Sequence, residues 1–275
     1  MLILLLCQMV EVSCGNRAKS VTSMTGVLAV TACCTVDVRS LVGLGKETMQ
    51  EISAFSTLLL PALCGISAAA GSAGRATATY ALSVFFSNLL VQLGNGVIIP
   101  MVYAYIGLAS ADAVLQKERL KPVREKLGWA VEWGLKGIVY GFIGTVSITG
   151  AVAGSADAAA VKTTKTLLSS FVPVVGGIIS GAAETLLNSA ALIKQSVGAA
   201  GMLSILAFVV TPFLKICTSW LMLKFVSVLS GILGSNLTGL TEGIAGALGY
   251  ILALVGSSVL IILIACCSML KVVSL

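Results

Sequence analysis

Charged side chains are so sparse in this chain that the gaps between them dictate its fold class. From Gly243 to Leu270 it runs 28 residues without a charge; Ile52 to Gly74 gives 23, Ala76 to Ala111 gives 36, and Gly137–Ala156 and Gln195–Leu214 give 20 each. A bilayer core is about 30 Å thick, and a helix needs roughly 20 apolar residues to cross it. Hydrophobic residues make up 57% of the chain and charged residues 10%, against about 45–50% and about 25% in a soluble domain. A soluble globular fold is excluded. So is disorder, which requires low hydrophobicity and high charge. The expected fold is all-α and polytopic, with about six transmembrane helices (roughly five to eight), an interfacial amphipathic helix and a broken, Gly/Pro-rich, re-entrant-like region.

The 36-residue gap needs its own reading. As one straight helix it would measure roughly 54 Å at about 1.5 Å per residue, far more than the bilayer core. Its middle reads Leu93-Gly94-Asn95-Gly96, with Pro100 just after. Gly-Asn-Gly is turn chemistry and proline breaks helices. We read a hairpin at 94–96 joining two short spans within 51–111, with a kinked, strongly tilted single helix as the alternative. Residues 1–50 form an N-terminal segment, extracytoplasmic or interfacial. Met1–Val10 is apolar without a basic region before it, a poor signal peptide. Signal, span and truncation all stay open.

The one strongly charged stretch is 112–136, with Lys117, Arg119, Lys121, Arg124, Lys126 and Lys136 against Asp112, Glu118, Glu125 and Glu132. Leu120, Val123, Leu127 and Val131 recur at helical spacing. Lys117, Lys121 and Arg124 share another face. Trp129 and Trp133 are one turn apart, where indoles anchor at a membrane interface. This is either an amphipathic helix on the cytoplasmic leaflet that docks a cytoplasmic partner, or an ordinary solvated loop helix. Both place it in the cytoplasm. With the hairpin, Arg75 lies inside as well.

Little catalytic chemistry survives inspection. The chain has no histidine, which removes Ser-His-Asp and Cys-His catalysis and histidine metal sites. None of its eight cysteines forms a C-x-x-C, and most sit in apolar runs, where cysteine packs as a small hydrophobe. A Cys7–Cys14 disulfide is conceivable but unsupported. Gly43-Leu44-Gly45-Lys46-Glu47-Thr48 resembles a phosphate loop only until Ser40 and Glu47 are placed where the motif requires glycine and Ser/Thr. No enzyme activity, cofactor, metal or nucleic-acid partner is expected. Membrane lipid is.

The transmembrane core is expected over 137–275, and its most informative part is 150–198. Apolar runs there are interrupted by Pro173, Gly176 and Gly177. Backbone breaks at membrane depth are tolerated only where protein or a water-filled cavity satisfies the amides, and such segments mark paths or binding sites. Lys162 and Lys165 share a stripe with Thr166 and Ser169; Glu184, Asn188 and Gln195 form another. Asp157, Lys162, Lys165, Glu184, Asn188 and Lys194 are the residues expected to line a path or carry buried polarity, with Glu184 paired to Lys162 or Lys165. The other reading places them at the headgroup boundary, where they only end helices. Gly150, Gly154 and Gly181, like the pair Gly239-x₃-Gly243, provide small residues for close helix packing, within one subunit or between subunits.

Gly154-Ser155-Ala156-Asp157, Phe171-Val172-Pro173-Val174-Val175-Gly176, Ala182-Ala183-Glu184-Thr185, Leu192-Ile193-Lys194-Gln195-Ser196-Val197-Gly198 and Pro212-Phe213-Leu214-Lys215-Ile216 resemble the stage III sporulation protein AE family of endospore-forming Firmicutes. The resemblance covers roughly Phe55 to Leu275. It implies a non-enzymatic membrane subunit of the channel or secretion apparatus between mother cell and forespore, in the mother-cell-derived membrane around the forespore. The partners it implies are other stage III A-operon proteins, including a secretion-type cytoplasmic ATPase and ring-forming proteins. A stand-alone small-molecule permease and a membrane scaffold without a path are the competing readings.

Overall fold

A computed structural model of the chain describes residues 16–115, 120–171, 176–232 and 238–270. The elements are α1 (Asn16–Ala69), α2 (Ala73–Leu93), a π turn (Gly94–Ile98), α3 (Ile99–Leu115), α4 (Lys121–Phe171), α5 (Gly176–Ile232) and α6 (Thr238–Leu270). There is no strand among the described residues. Five stretches are long and apolar enough to cross a membrane: Cys34–Ala69, Ala73–Ala113, Lys121–Asp157, Leu192–Gly231 and Thr238–Leu270. Five is the lower end of the expected range.

The missing span is the expected hairpin, which the structure replaces with continuous helix. Residues 94–96 are not a turn; they open a single π turn, in which the Ile99 N–H donates to Gly94 O. The reason is local. Pro100 has no N–H to offer Gly96 O, and its ring crowds that carbonyl. A π bulge relieves the crowding while keeping backbone groups paired, as a bilayer demands. A tight turn there would leave several of them without partners. By length and composition this segment is a single candidate span, Ala73–Ala113, so the hairpin no longer gives a reason to place Arg75 on the side of the 112–136 stretch.

Two further expectations change. The 112–136 stretch is not a separate interfacial helix: Asp112 closes α3, and Lys121–Lys136 is the first part of α4. Nor is 150–198 a run of short broken segments. Helix runs through Gly150 to Phe171 and again from Gly176 onward. A glycine in a helix costs about 1 kcal/mol, less than an unpaired backbone group in lipid. Pro173 lies outside the described residues, as do Lys117 and the cysteines Cys7 and Cys14.

The chain forms two compact units. The first comprises Met1–Met49, Gln92–Leu135 and Val210–Gly256; the second comprises Gln50–Val91, Lys136–Val209 and Ser257–Leu275. In the first, Leu240, Ile244, Leu248, Ile251 and Leu254 of α6 are fully buried, with Val42 and Met49 of α1, Val102 of α3 and Ile216 of α5. In the second, Leu60, Leu63, Phe142, Ile205, Ile261 and Ile262 form the core, and Phe86 meets Phe142 at 5.4 Å between ring centroids. More than half of the most apolar stretch of α6 is buried (56%), against 22–33% in the four other candidate spans. A helix apolar all round is a central one, and α6 has this role in each unit. Between helices in lipid, dispersion and close approach replace hydrophobic driving force. Gly45 shows this: a methyl group there would strike Ile251 and touch Ile216 and Val255. The glycine that mimicked a phosphate loop is a packing contact.

Candidate functional site

In the second unit, polar side chains gather where α1 turns into α2. The turn is a Schellman motif. Ser72 N–H donates to Ser67 O and Gly71 N–H to Ala68 O, both at 3.0 Å, and Gly71 takes φ 80°, which L side chains rarely adopt. Ser72 then begins α2, its carbonyl accepting from Ala76 N–H. The hydroxyl of Ser72 does not cap its own helix; it donates back to Ser67 O at 2.8 Å. The cap comes from α4 instead. Asp157 accepts from the N–H of Gly74 and of Arg75, each at 2.9 Å, one on each carboxylate oxygen. The carboxylate faces the positive end of the helix dipole, which favours it. Lys194 of α5, 1% exposed, donates from Nζ to Ser72 Oγ at 3.1 Å. Nearby, Ser67 Oγ donates to Met269 O, and the Thr79 and Ser268 hydroxyls lie 3.4 Å apart. Five helices, α1, α2, α4, α5 and α6, contribute to one polar knot.

The first unit has a counterpart at the turn into α4. Asp112 Oδ1 accepts from Leu120 N–H at 2.9 Å, and Leu120 O accepts the first helical bond, from Arg124 N–H. Pro122 falls in the first turn, where its missing N–H leaves nothing unpaired. Arg124 is buried, 8% exposed. Its Nη1 donates to Gly239 O at 3.2 Å, and its guanidinium stands 5.7 Å from the Tyr105 ring centroid. Tyr105 and Tyr250 meet edge to face at 5.4 Å. Gly128 and Gly246 make room for the two rings: a methyl group at Gly128 would strike the Tyr250 hydroxyl, and one at Gly246 would come 2.9 Å from that of Tyr105.

The first unit also holds an open groove of about 530 Å³ between α1 and α5. Asp37 and Ser40 line one wall; Lys215, Thr218 and Ser219 line the other.

Of the expected path residues, the structure brings Asp157 and Lys194 together and adds Ser72 and Arg75, which sequence reasoning did not single out. Lys162 is exposed on α4. Lys165, Glu184 and Asn188 have helical positions, but their side chains lie outside the described residues, as do the surroundings of Gly154, Gly176, Gly177 and Gly181. Gly150 is buried against the Arg75 guanidinium. On the expected partner surface Lys121 is exposed, but Arg124 turns inward. That is a correction: its planar, delocalised cation finds an aromatic face and a carbonyl inside the unit. A signal for the polar knot was present in the sequence. Arg75, Asp157 and Lys194 each border one of the long uncharged gaps, so each stands where a span ends.

No group of three or more Cys, Asp and Glu side chains placed to hold a metal occurs among the described residues. The arrangement is that of an all-helical polytopic membrane protein in which half-buried carboxylates lock helix starts and buried cations tie them to neighbouring helices. The chain belongs to the stage III sporulation protein AE family, whose profile it matches over residues 1–272. A relative, stage III sporulation protein AE of Bacillus subtilis (strain 168), is 24% identical over 190 residues, 69% of this chain. The chain spans about half (48%) of that relative's length. No solved structure matches.

Proposed function

We propose that this member of a sporulation family is a non-enzymatic integral membrane subunit of the channel or secretion apparatus between mother cell and forespore. It would sit in the mother-cell-derived membrane and work with a cytoplasmic secretion-type ATPase and ring-forming partners. The observation that carries the reading is how the buried and half-buried charges are used. Asp157, Lys194, Arg124 and Asp112 bind helix ends and side chains of this chain, as expected of a rigid subunit rather than a moving carrier. Broad apolar surface supports the same view: Leu203, Phe208, Leu214, Met222 and Phe225 of α5 are all exposed, available to lipid and neighbouring subunits.

Deleting the gene in its sporulating host should leave engulfment normal and then give dark, shrinking forespores with a silent late forespore reporter. Normal spores would overturn the proposal. The double reversal Lys117→Glu/Lys121→Glu should weaken co-purification of a cytoplasmic partner at least several-fold while the protein stays in the membrane; undiminished co-purification would remove this surface from the account. Arg124 does not belong in that test, since reversing a buried charge would disrupt the fold.

One observation favours a second reading, a stand-alone permease. The α1–α5 groove sets a carboxylate, Asp37, and an ammonium, Lys215, on facing walls, suited to a small zwitterion. Uptake by proteoliposomes containing only this protein, lost in Lys215→Met, would select it.

A further inference from the structure

The second unit contains a cavity of about 460 Å³ between α2, α4 and α6, within the size range of ligand sites. Arg75, Ser147 and Ser268 make up its polar lining; Val146 and Ala151 of α4 and Leu263 and Ile264 of α6 form apolar walls. The guanidinium lies across α4 at Gly150, where a methyl group would sit 3.5 Å from Nη2 and 3.7 Å from Nε. Arg75 Nε is fully buried and has no hydrogen-bond partner among the described residues. The Asp157 carboxylate holds the main-chain N–H of Arg75 instead. A buried guanidinium N–H without an acceptor is costly, and hydrogen bonds to charged groups are the strong ones. Nε itself is enclosed, so a ligand in the cavity would meet the terminal nitrogens of this guanidinium, which has no acceptor among the described residues.

Its position says which kind. Arg75 is two residues inside the start of the Ala73–Ala113 span, at the end of that helix nearer a membrane surface. A cation at that level with an apolar trough beside it matches an amphiphile: a phosphate at the guanidinium and an acyl chain along Val146, Leu263 and Ile264. Basic pockets between membrane helices hold lipid phosphates in this way. We propose that this cavity is a specific binding site for one anionic phospholipid, with Arg75 gripping its phosphate.

The test uses the full chain in detergent and native mass spectrometry, with phosphatidylglycerol, phosphatidylcholine and glycerol 3-phosphate as probes. The wild-type protein should retain one phosphatidylglycerol at least about tenfold more tightly than phosphatidylcholine, and Arg75→Gln should erase that preference. Ala151→Trp, which fills the trough from its exposed lip and keeps the guanidinium, should weaken both lipids. It also serves if Arg75→Gln does not fold. Equal phosphatidylglycerol retention by wild type and Arg75→Gln, or by wild type and Ala151→Trp, would overturn the proposal. So would glycerol 3-phosphate binding as tightly as the lipid, which would make this a site for a free phosphate ester.

Discussion

Asp157→Ala is expected to lower the unfolding temperature of the detergent-solubilised protein by about 4–8 °C. The carboxylate accepts two backbone N–H groups at the start of α2, each at 2.9 Å. Hydrogen bonds to a charged acceptor are worth about 1.5–3 kcal/mol each where fully shielded; here Gly74 is exposed and Arg75 half-buried, so about 2 kcal/mol for the pair is the working figure. At about 2–4 °C per kcal/mol for a chain of comparable size, that gives the stated shift. Asp157→Asn keeps one acceptor oxygen and should lose about half as much. Ser155→Ala, two residues away, removes only an exposed hydroxyl bonded within its own helix and should change nothing. An Asp157→Ala protein as stable as wild type would mean that the tertiary cap contributes nothing.

A larger effect is expected at Gly243. A methyl group there would strike Ala109 Cβ and sit 3.1 Å from Arg124 Nη1. The Ala109 side chain has no rotamer to retreat into, so α3 and α6 must separate locally and the Arg124 contacts loosen. Gly243→Leu should destabilise by on the order of 3 kcal/mol, at the upper end of overpacking costs. Gly239→Leu is the control. No described residue lies within 4 Å of a methyl group at Gly239, and exchanging glycine in a helix for a better helix former is mildly favourable. The two should differ in the yield of monodisperse protein on size exclusion. Similar behaviour of both variants would contradict the packing seen in the first unit.

Those two glycines show how far the sequence could be read. Gly239-x₃-Gly243 is one motif on the page and two environments in the fold, because spacing places both on a helix but says nothing about what faces them. The all-helical, multi-span class was legible, since uncharged runs of bilayer length leave few other solutions. The hairpin was not. Gly-Asn-Gly followed by Pro100 is turn chemistry in water, and the same residues become a π turn where unpaired amides are costly. Asp157 and Lys194 were legible as polar residues beside long gaps. That they meet Ser72 and Arg75 was not, because contacts across 82 to 122 residues of chain leave no local trace. Arg124 was misjudged for a related reason: on a helical projection it shares a face with Lys121, yet only the pairing of Tyr105 with Tyr250 decides that this face turns inward at that point.

The π turn has an effect beyond relieving Pro100. Along α2 the buried positions are Ala76, Thr79, Ser83, Phe86 and Leu90, alternating steps of three and four as in a heptad seam. From Leu90 they continue at Gly94 and then at both Ile98 and Ile99, before Val102, Ile106, Ala109 and Ala113 restore the alternation of three and four counted from Ile99. The wide turn thus acts as a phase shifter, holding the inward stripe in line across one extra residue. Each residue of an α-helix rotates the next by about 100°. A one-residue deletion between Gly94 and Ile98 would leave a regular helix and swing Tyr105 and Ala109 off their partners by about that angle. The same deletion in the polar links at either end of the helix would rotate neither stripe, so tolerance to length change along this segment should be lowest in its most regular-looking part.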